Sequence, residues 1–173
     1  AASASATTYQ TARFYINNGT SAPLGQTQNT AIEPGVRLTA AGDLNGDGKD
    51  DLLSLKTDGK LYVSLSSKED SGISLPGYGA PVGTGWGGFT WLGLSDLNRD
   101  GYADVVARRS DGALFLYRNL GGETSARVLN GQGILAGAVQ IGHGWNALRT
   151  ISVGDVTGDG WPDIVAVTTD GYL

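Results

Sequence analysis

The 173-residue sequence has no cysteine, a single histidine and only five prolines. Without cysteine there is no disulfide, no thiolate nucleophile and no zinc–sulfur site, although this says nothing about compartment. Any Ser-His-Asp triad would have to use His143, and no Gly-x-Ser-x-Gly elbow is present. His143 stands where a matching stretch carries Thr84, so it reads as a tolerated loop variant rather than a base or a ligand. No apolar run approaches the ~18 residues of a membrane span. A basic stripe with interleaved aromatics is also missing, which argues against nucleic acid as a partner. Finally, no capped amphipathic stretch is long enough to predict a helix.

Glycine, by contrast, is abundant, at 28 residues. With short alternating runs between the glycines, this predicts an all-β protein with many tight turns. One stretch is written three times: Asp43-Leu44-Asn45-Gly46-Asp47-Gly48-Lys49-Asp50-Asp51, then 96–104, then 155–163. Oxygen-bearing side chains fall at positions 1, 3, 5 and 9: Asp43, Asn45, Asp47 and Asp51; Asp96, Asn98, Asp100 and Asp104; Asp155, Thr157, Asp159 and Asp163. Position 6 is always glycine, which lets the backbone curl without a Cβ clash. Position 7, occupied by Lys49, Tyr102 or Trp161, offers a main-chain carbonyl. Such an oxygen set at alternate positions suits a hard cation that takes six to eight oxygens, namely Ca²⁺, and predicts about three ions per chain. One such loop could be an ordinary turn; three in register point to metal.

An EF-hand starts in the same way but needs a bidentate Glu at position 12 and helical flanks. Here position 12 is Ser54, Ala107 or Ala166. The flanks, among them Val36–Ala40, Phe89–Leu94 and Ile164–Val167, are short and apolar or alternating, and read as strands. Each loop therefore lies inside a β-hairpin.

Charge is concentrated in the same loops. The net charge is −5, and ten of the seventeen acidic residues fall in the three loops. Three divalent ions would bring the protein to about +1, so the acidity belongs to the metal sites rather than to a surface field. Catalytic carboxylates need separated pKa values, which a full metal shell denies to these groups, and no catalytic residue is assigned.

The repeats extend beyond the loops. They begin 53 and then 59 residues apart, and Leu55–Leu61, Arg108–Leu114 and Val167–Leu173 correspond, each with a central Asp-Gly. Asp-Gly predicts a hairpin turn. It is followed by an alternating strand (61–65, 114–117) and a glycine-rich segment ending in Gly83-Thr84-Gly85-Trp86 or Gly142-His143-Gly144-Trp145. Four antiparallel strands in roughly 50 residues make one propeller blade. Trp86 and Trp145 recur in register and are expected to pack within blades ahead of stacking on sugar. Trp91 and Trp161 do not recur with them, and the rings of Tyr102 and Trp161 are expected to be exposed.

These residues resemble the FG-GAP/VCBS repeats of integrin-α-like, calcium-binding β-propellers. The likeness rests on Asp-x-Asn-x-Asp-Gly-x-x-Asp at 43–51, its near-copy at 96–104 and the Thr157 variant at 155–163, and covers about residues 36–173. It implies a calcium ion in the first hairpin of each blade, weakest at the third because a hydroxyl replaces Asn. It also implies an exported adhesion, lectin-like or enzyme-appended module.

The expected division is a single propeller or partial propeller over 1–173, with an N-terminal half-blade at 1–35. Repeats follow at 36–88 and 89–147, and a half-blade at 148–173. Residues 12–19 resemble 113–121, so the terminal strands are expected to share a blade, giving about three blades. A closed ring usually has four to eight. The chain is therefore expected either to form a homodimer with six blades or to be part of a longer chain. Ala1–Ala6 resembles residues left after signal cleavage, or carried over from an expression vector, and secretion is the expectation. Asn18-Gly19-Thr20 reads as a sequon or a hairpin turn. The function expected is non-catalytic recognition of carbohydrate or another cell-surface ligand; the alternative is an accessory, targeting domain of a larger secreted hydrolase.

Overall fold

The computed structural model describes residues 10–16, 26–32, 34–69, 72–74, 80–122, 124–130 and 132–169, the strands at 10–16, 26–32, 67–69 and 72–74 by their backbone alone. The sequon, the Asp170-Gly171 turn and the extreme termini lie outside these residues.

Strands β1 (Gln10–Ile16) and β2 (Gln26–Ile32) form an antiparallel pair, Gln10 opposite Ile32 and Ile16 opposite Gln26. The first three-stranded sheet is a meander of β3 (Val36–Gly42), β4 (Asp51–Lys56) and β5 (Leu61–Ser64). A small hairpin follows, β6 (Ser67–Glu69) against β7 (Gly72–Ser74). The central sheet has four strands: β8 (Phe89–Ser95), β9 (Asp104–Arg109), β10 (Leu114–Tyr117) and β11 (Val139–Gly142). Their order is the sequence order, each strand pairing with the next, as expected of one blade. A short helix, α1 (Thr124–Leu129), interrupts the link between β10 and β11. The last sheet pairs β12 (Leu148–Gly154) with β13 (Asp163–Thr168).

The repeats agree in detail. Each first hairpin carries an irregularity at one place, between Val36 and Leu38, Phe89 and Trp91, and Leu148 and Thr150. Each described Asp-Gly forms a tight turn: the Gly59 and Gly112 amides donate to the Lys56 (3.0 Å) and Arg109 (2.9 Å) carbonyls, with φ of 75° and 85°. Among the described residues the expected fourth strand is complete only in the central sheet. In the first sheet it shrinks to one bridge, Leu61 to Gly83, the counterpart of Leu114 opposite Gly142.

The burial pattern explains the apolar runs. Ala107 and Val105 of β9 point into a core shared with Leu53, Leu55 and Leu61 of the first sheet. Val106 points the other way, to Ile151 and Val153 of the last sheet. Alternate residues of a strand face opposite sides, so a sheet covered on both faces needs apolar residues at every position. The central sheet is thus sandwiched between its two neighbours. Its first strand, β8, lies against both β3 and β12. Trp86 is buried against Phe89 (4.7 Å between ring centres) and Tyr117 (4.4 Å), and Trp145 packs half-buried on the second cluster.

This is an all-β antiparallel fold in which the three sheets that carry the loops are stacked face to face. Among the described residues the sheets do not close into a ring. The N-terminal strand, expected to share a blade with the C-terminal half-blade, is paired with β2 over its described residues.

Candidate metal centre

The three loops span β3 to β4, β8 to β9 and β12 to β13, at the same end of neighbouring hairpins. Each is wound by one hydrogen-bond pattern. At position 1, Asp43 accepts from the amides of Gly46 (2.7 Å) and Gly48 (2.8 Å). Asp96 accepts from Asp100 (3.0 Å) and Gly101 (2.8 Å), and Asp155 from Gly158 (2.7 Å) and Gly160 (2.8 Å). At position 3, the side-chain oxygens of Asn45 and Asn98 accept from Asp47 and Asp100, both at 3.1 Å. At position 5, Asp47, Asp100 and Asp159 accept from the amides of Lys49 (3.0 Å), Tyr102 (3.0 Å) and Trp161 (2.8 Å). The left-handed backbone this winding requires appears at Gly48, Gly101 and Gly160, with φ of 79°, 90° and 85°.

Position 9 closes each loop onto the sheet. Asp51 is buried and accepts from Leu44 (3.0 Å) and from Ser66 (2.8 Å). Asp104 is fully buried; its Oδ1 accepts from the Asn119 amide (2.8 Å), and the Leu97 amide also approaches the carboxylate, too poorly aligned to satisfy Oδ2. Asp163, half-buried, accepts from Val156 (2.9 Å) and Thr157 (3.1 Å). Burial pushes Asp51 and Asp104 above the usual carboxylate range, with the neighbouring loop acids adding to the effect. The amides of Val156 and Thr157 hold Asp163 below it. Lys49 lies 2.9 Å from Asp47 and lowers that carboxyl, an exposed ion pair of small energetic weight.

Among the described residues no three acidic or histidine side chains converge on one point; the carboxylates at positions 1 and 5 are turned onto main-chain amides. The donor set nonetheless fits a hard cation. It consists of oxygen alone, and the buried Oδ2 of Asp104, which the Leu97 amide approaches without a well-formed hydrogen bond, is left short of a partner that a cation would supply.

Side chains at positions 4 and 7 connect neighbouring loops, which sequence reading missed. The Tyr102 ring, expected to be exposed, is half-buried over Gly46 of the first loop; a Cβ there would sit 2.9 Å from it. Trp161 is 49% exposed, as expected, and Arg99 of the second loop lies over its ring. Asn119 was also missed. The signal for it was the likeness of 12–19 to 113–121, which sets Asn18 against Asn119.

No curated protein matches the chain. Residues 96–166, from the first aspartate of the second loop to the middle of β13, match the family model described as FG-GAP-like repeat. Over that stretch, which takes in the second and third loops, the chain is similar to an FG-GAP-like repeat.

Proposed function

We propose that this protein is a secreted, calcium-stabilised, non-catalytic recognition module of the β-propeller type. The observation that carries the calcium assignment is the threefold recurrence of one loop geometry, with oxygen donors at positions 1, 3, 5 and 9. Asp43, Asn45, Asp47 and Asp51 would hold one ion with the Lys49 carbonyl. Asp96, Asn98, Asp100 and Asp104 would hold a second with the Tyr102 carbonyl, and Asp155, Thr157, Asp159 and Asp163 a third with that of Trp161. A bound ion supplies positive charge among carboxylates that otherwise repel one another. The match to the FG-GAP-like repeat supports the module reading.

The recognition surface we assign is the loop face. Between the first and second loops lies a pocket of ≈ 360 Å³, bordered by Asp43, Asp50, Ser95 and Asp96 and floored by Ala41 and Leu94. A small polar ligand such as a sugar unit fits a site of that size, since ligand pockets start at about 300 Å³. Asp50 is the one loop acid outside positions 1, 5 and 9, which frees it to accept from a ligand. Glycan-array binding, measured in calcium, after chelation and with Asp50→Asn, tests the reading. Binding weakened by both changes is expected. No binding to any glycan in calcium would sink the carbohydrate assignment, and calorimetry without a calcium signal would sink the metal assignment.

A further inference from the structure

The first and second loops are fastened together through main-chain groups. The Ala103 amide, position 8 of the second loop, donates to the Asp43 carbonyl, position 1 of the first, at 2.7 Å. Asn119 is 5% exposed and touches both loops. Its Nδ2 donates to the carbonyls of Leu44 (3.0 Å) and Ala103 (3.1 Å), and its own amide donates to Asp104 Oδ1 (2.8 Å). The Asn119 side chain is itself held in place: its Oδ1 accepts from the Gly121 amide (3.0 Å) and the Thr124 hydroxyl (3.2 Å). Asn45, position 3 of the first loop, donates to Ser125 at 3.3 Å, just beyond Thr124 on α1. The Tyr102 ring covers Gly46. Between the second and third loops no hydrogen bond runs among the described residues; only Arg99 over Trp161 spans them, on the exposed side.

We propose that the first two loops are a coupled pair of calcium sites, in which occupancy of one raises the affinity of the other, with Asn119 as the positioning residue that couples them and the third loop independent. The inference rests on the calcium reading above. Its physical basis is shared ordering. Fixing Asp104 in the second loop fixes the Asn119 amide bonded to it, and thereby the Leu44 carbonyl next to Asp43. Fixing Asp43 in the first loop likewise fixes Ala103, which precedes Asp104. Conformational freedom lost on filling one loop then need not be lost again on filling the other, and the coupling is reciprocal by linkage.

Calorimetric calcium titration of the full chain provides the test, with Asp159→Ala in every sample to silence the third loop. Asp47→Ala then silences the first loop and reports the second alone; Asp100→Ala does the reverse. Couplings between sites are commonly 5- to 150-fold, so silencing either loop is expected to weaken the other about tenfold. In Asn119→Ala, two weakened affinities that no longer depend on each other are expected. A second readout covers the case in which that variant fails to fold. In the Asp100→Ala chain, filling the first loop should slow hydrogen exchange of the Ala103 amide, which donates across the junction. Two loops that bind calcium with affinities within twofold of their values alone, and no change at Ala103, would overturn the coupling while leaving the calcium reading intact. No calcium binding in any sample would overturn both.

Discussion

The Arg99 guanidinium lies 5.0 Å from the centre of the Trp161 ring, and Arg99 is the one non-glycine residue with positive φ (60°) among the described residues. It occupies position 4 of its loop, where the other two loops have Gly46 and Gly158 at φ of 76° and 77°. The left-handed region costs a residue with a Cβ about 1–2 kcal/mol. A cation over an exposed aromatic face returns about 0.5–1 kcal/mol. Arg99→Ala keeps the strain and loses the contact, so it should lower stability by about 0.5–1 kcal/mol. Arg99→Gly removes both and is expected to lie above the alanine variant. Urea unfolding of the three proteins in calcium checks this order; an alanine variant as stable as the parent would show that the ring contact contributes nothing.

Calcium removal should destabilise the fold. Chelation leaves ten loop carboxylates close together, and a ligand that binds only the folded state contributes ~4 kcal/mol per site at a thousandfold excess over Kd. A lower melting temperature in EDTA, restored by added calcium, is expected. Identical melting curves with and without EDTA would sink the idea.

The alternation of the strands made the three hairpins, the Asp-Gly turns and the four-strand unit legible, because each is encoded within a few residues. The three loops were legible because their oxygen-bearing positions and glycines repeat. The link from Asn119 to Leu44 was not, since it spans 75 residues and depends on how two sheets meet. Nor was α1, whose six residues (Thr124–Leu129) are too few for a helical period to stand out. Burial of Tyr102 also escaped notice. Its partner is a glycine of a different repeat, and an absent side chain leaves no pattern to read.

The third loop differs from the others at position 3, where Thr157 replaces Asn45 and Asn98. Among the described residues its hydroxyl accepts no loop amide, whereas the two asparagines do. Thr157→Asp places a carboxylate there and should tighten calcium binding at this loop, because affinity rises with ligand charge. Calorimetry with the first two loops silenced by Asp47→Ala and Asp100→Ala isolates the site. An unchanged affinity would remove position 3 from the ligand set.

Asp104 gives the metal-free protein a pH dependence of defined sign. Burial raises its folded-state pKa, so the folded chain holds a proton that the unfolded chain has released. Its contribution to stability therefore falls as pH rises from the ordinary carboxylate value through the raised one. Asp104→Asn removes this titration and should flatten the fall in urea midpoint as pH rises above the ordinary carboxylate value of about 4 in metal-free protein. A parallel shift of the whole curve, with its slope kept, would mean that Asp104 does not titrate in that window.

Gly42 and Gly154 hold the same register position, directly before their loops, yet their surroundings differ. A Cβ on Gly42 would lie 2.8 Å from the Cβ of Leu94 and 3.1 Å from that of Ala103. Both are stubs fixed to main chain, Leu94 on β8 and Ala103 in the second loop, so neither can swing aside; β3 would have to separate from them. A Cβ on Gly154 meets nothing within 4 Å. Neither glycine has positive φ, which leaves packing to decide the sign. Gly42→Ala should cost about 1–3 kcal/mol, the range for overpacking a close contact. Gly154→Ala, acting through the unfolded chain, should gain about 0.4–1 kcal/mol. Chemical unfolding of both variants measures the difference. Equal effects would mean that β3 and β8 do not approach as closely as Leu94 over Gly42 requires, and the stacking of the first sheet on the central one would have to be redrawn.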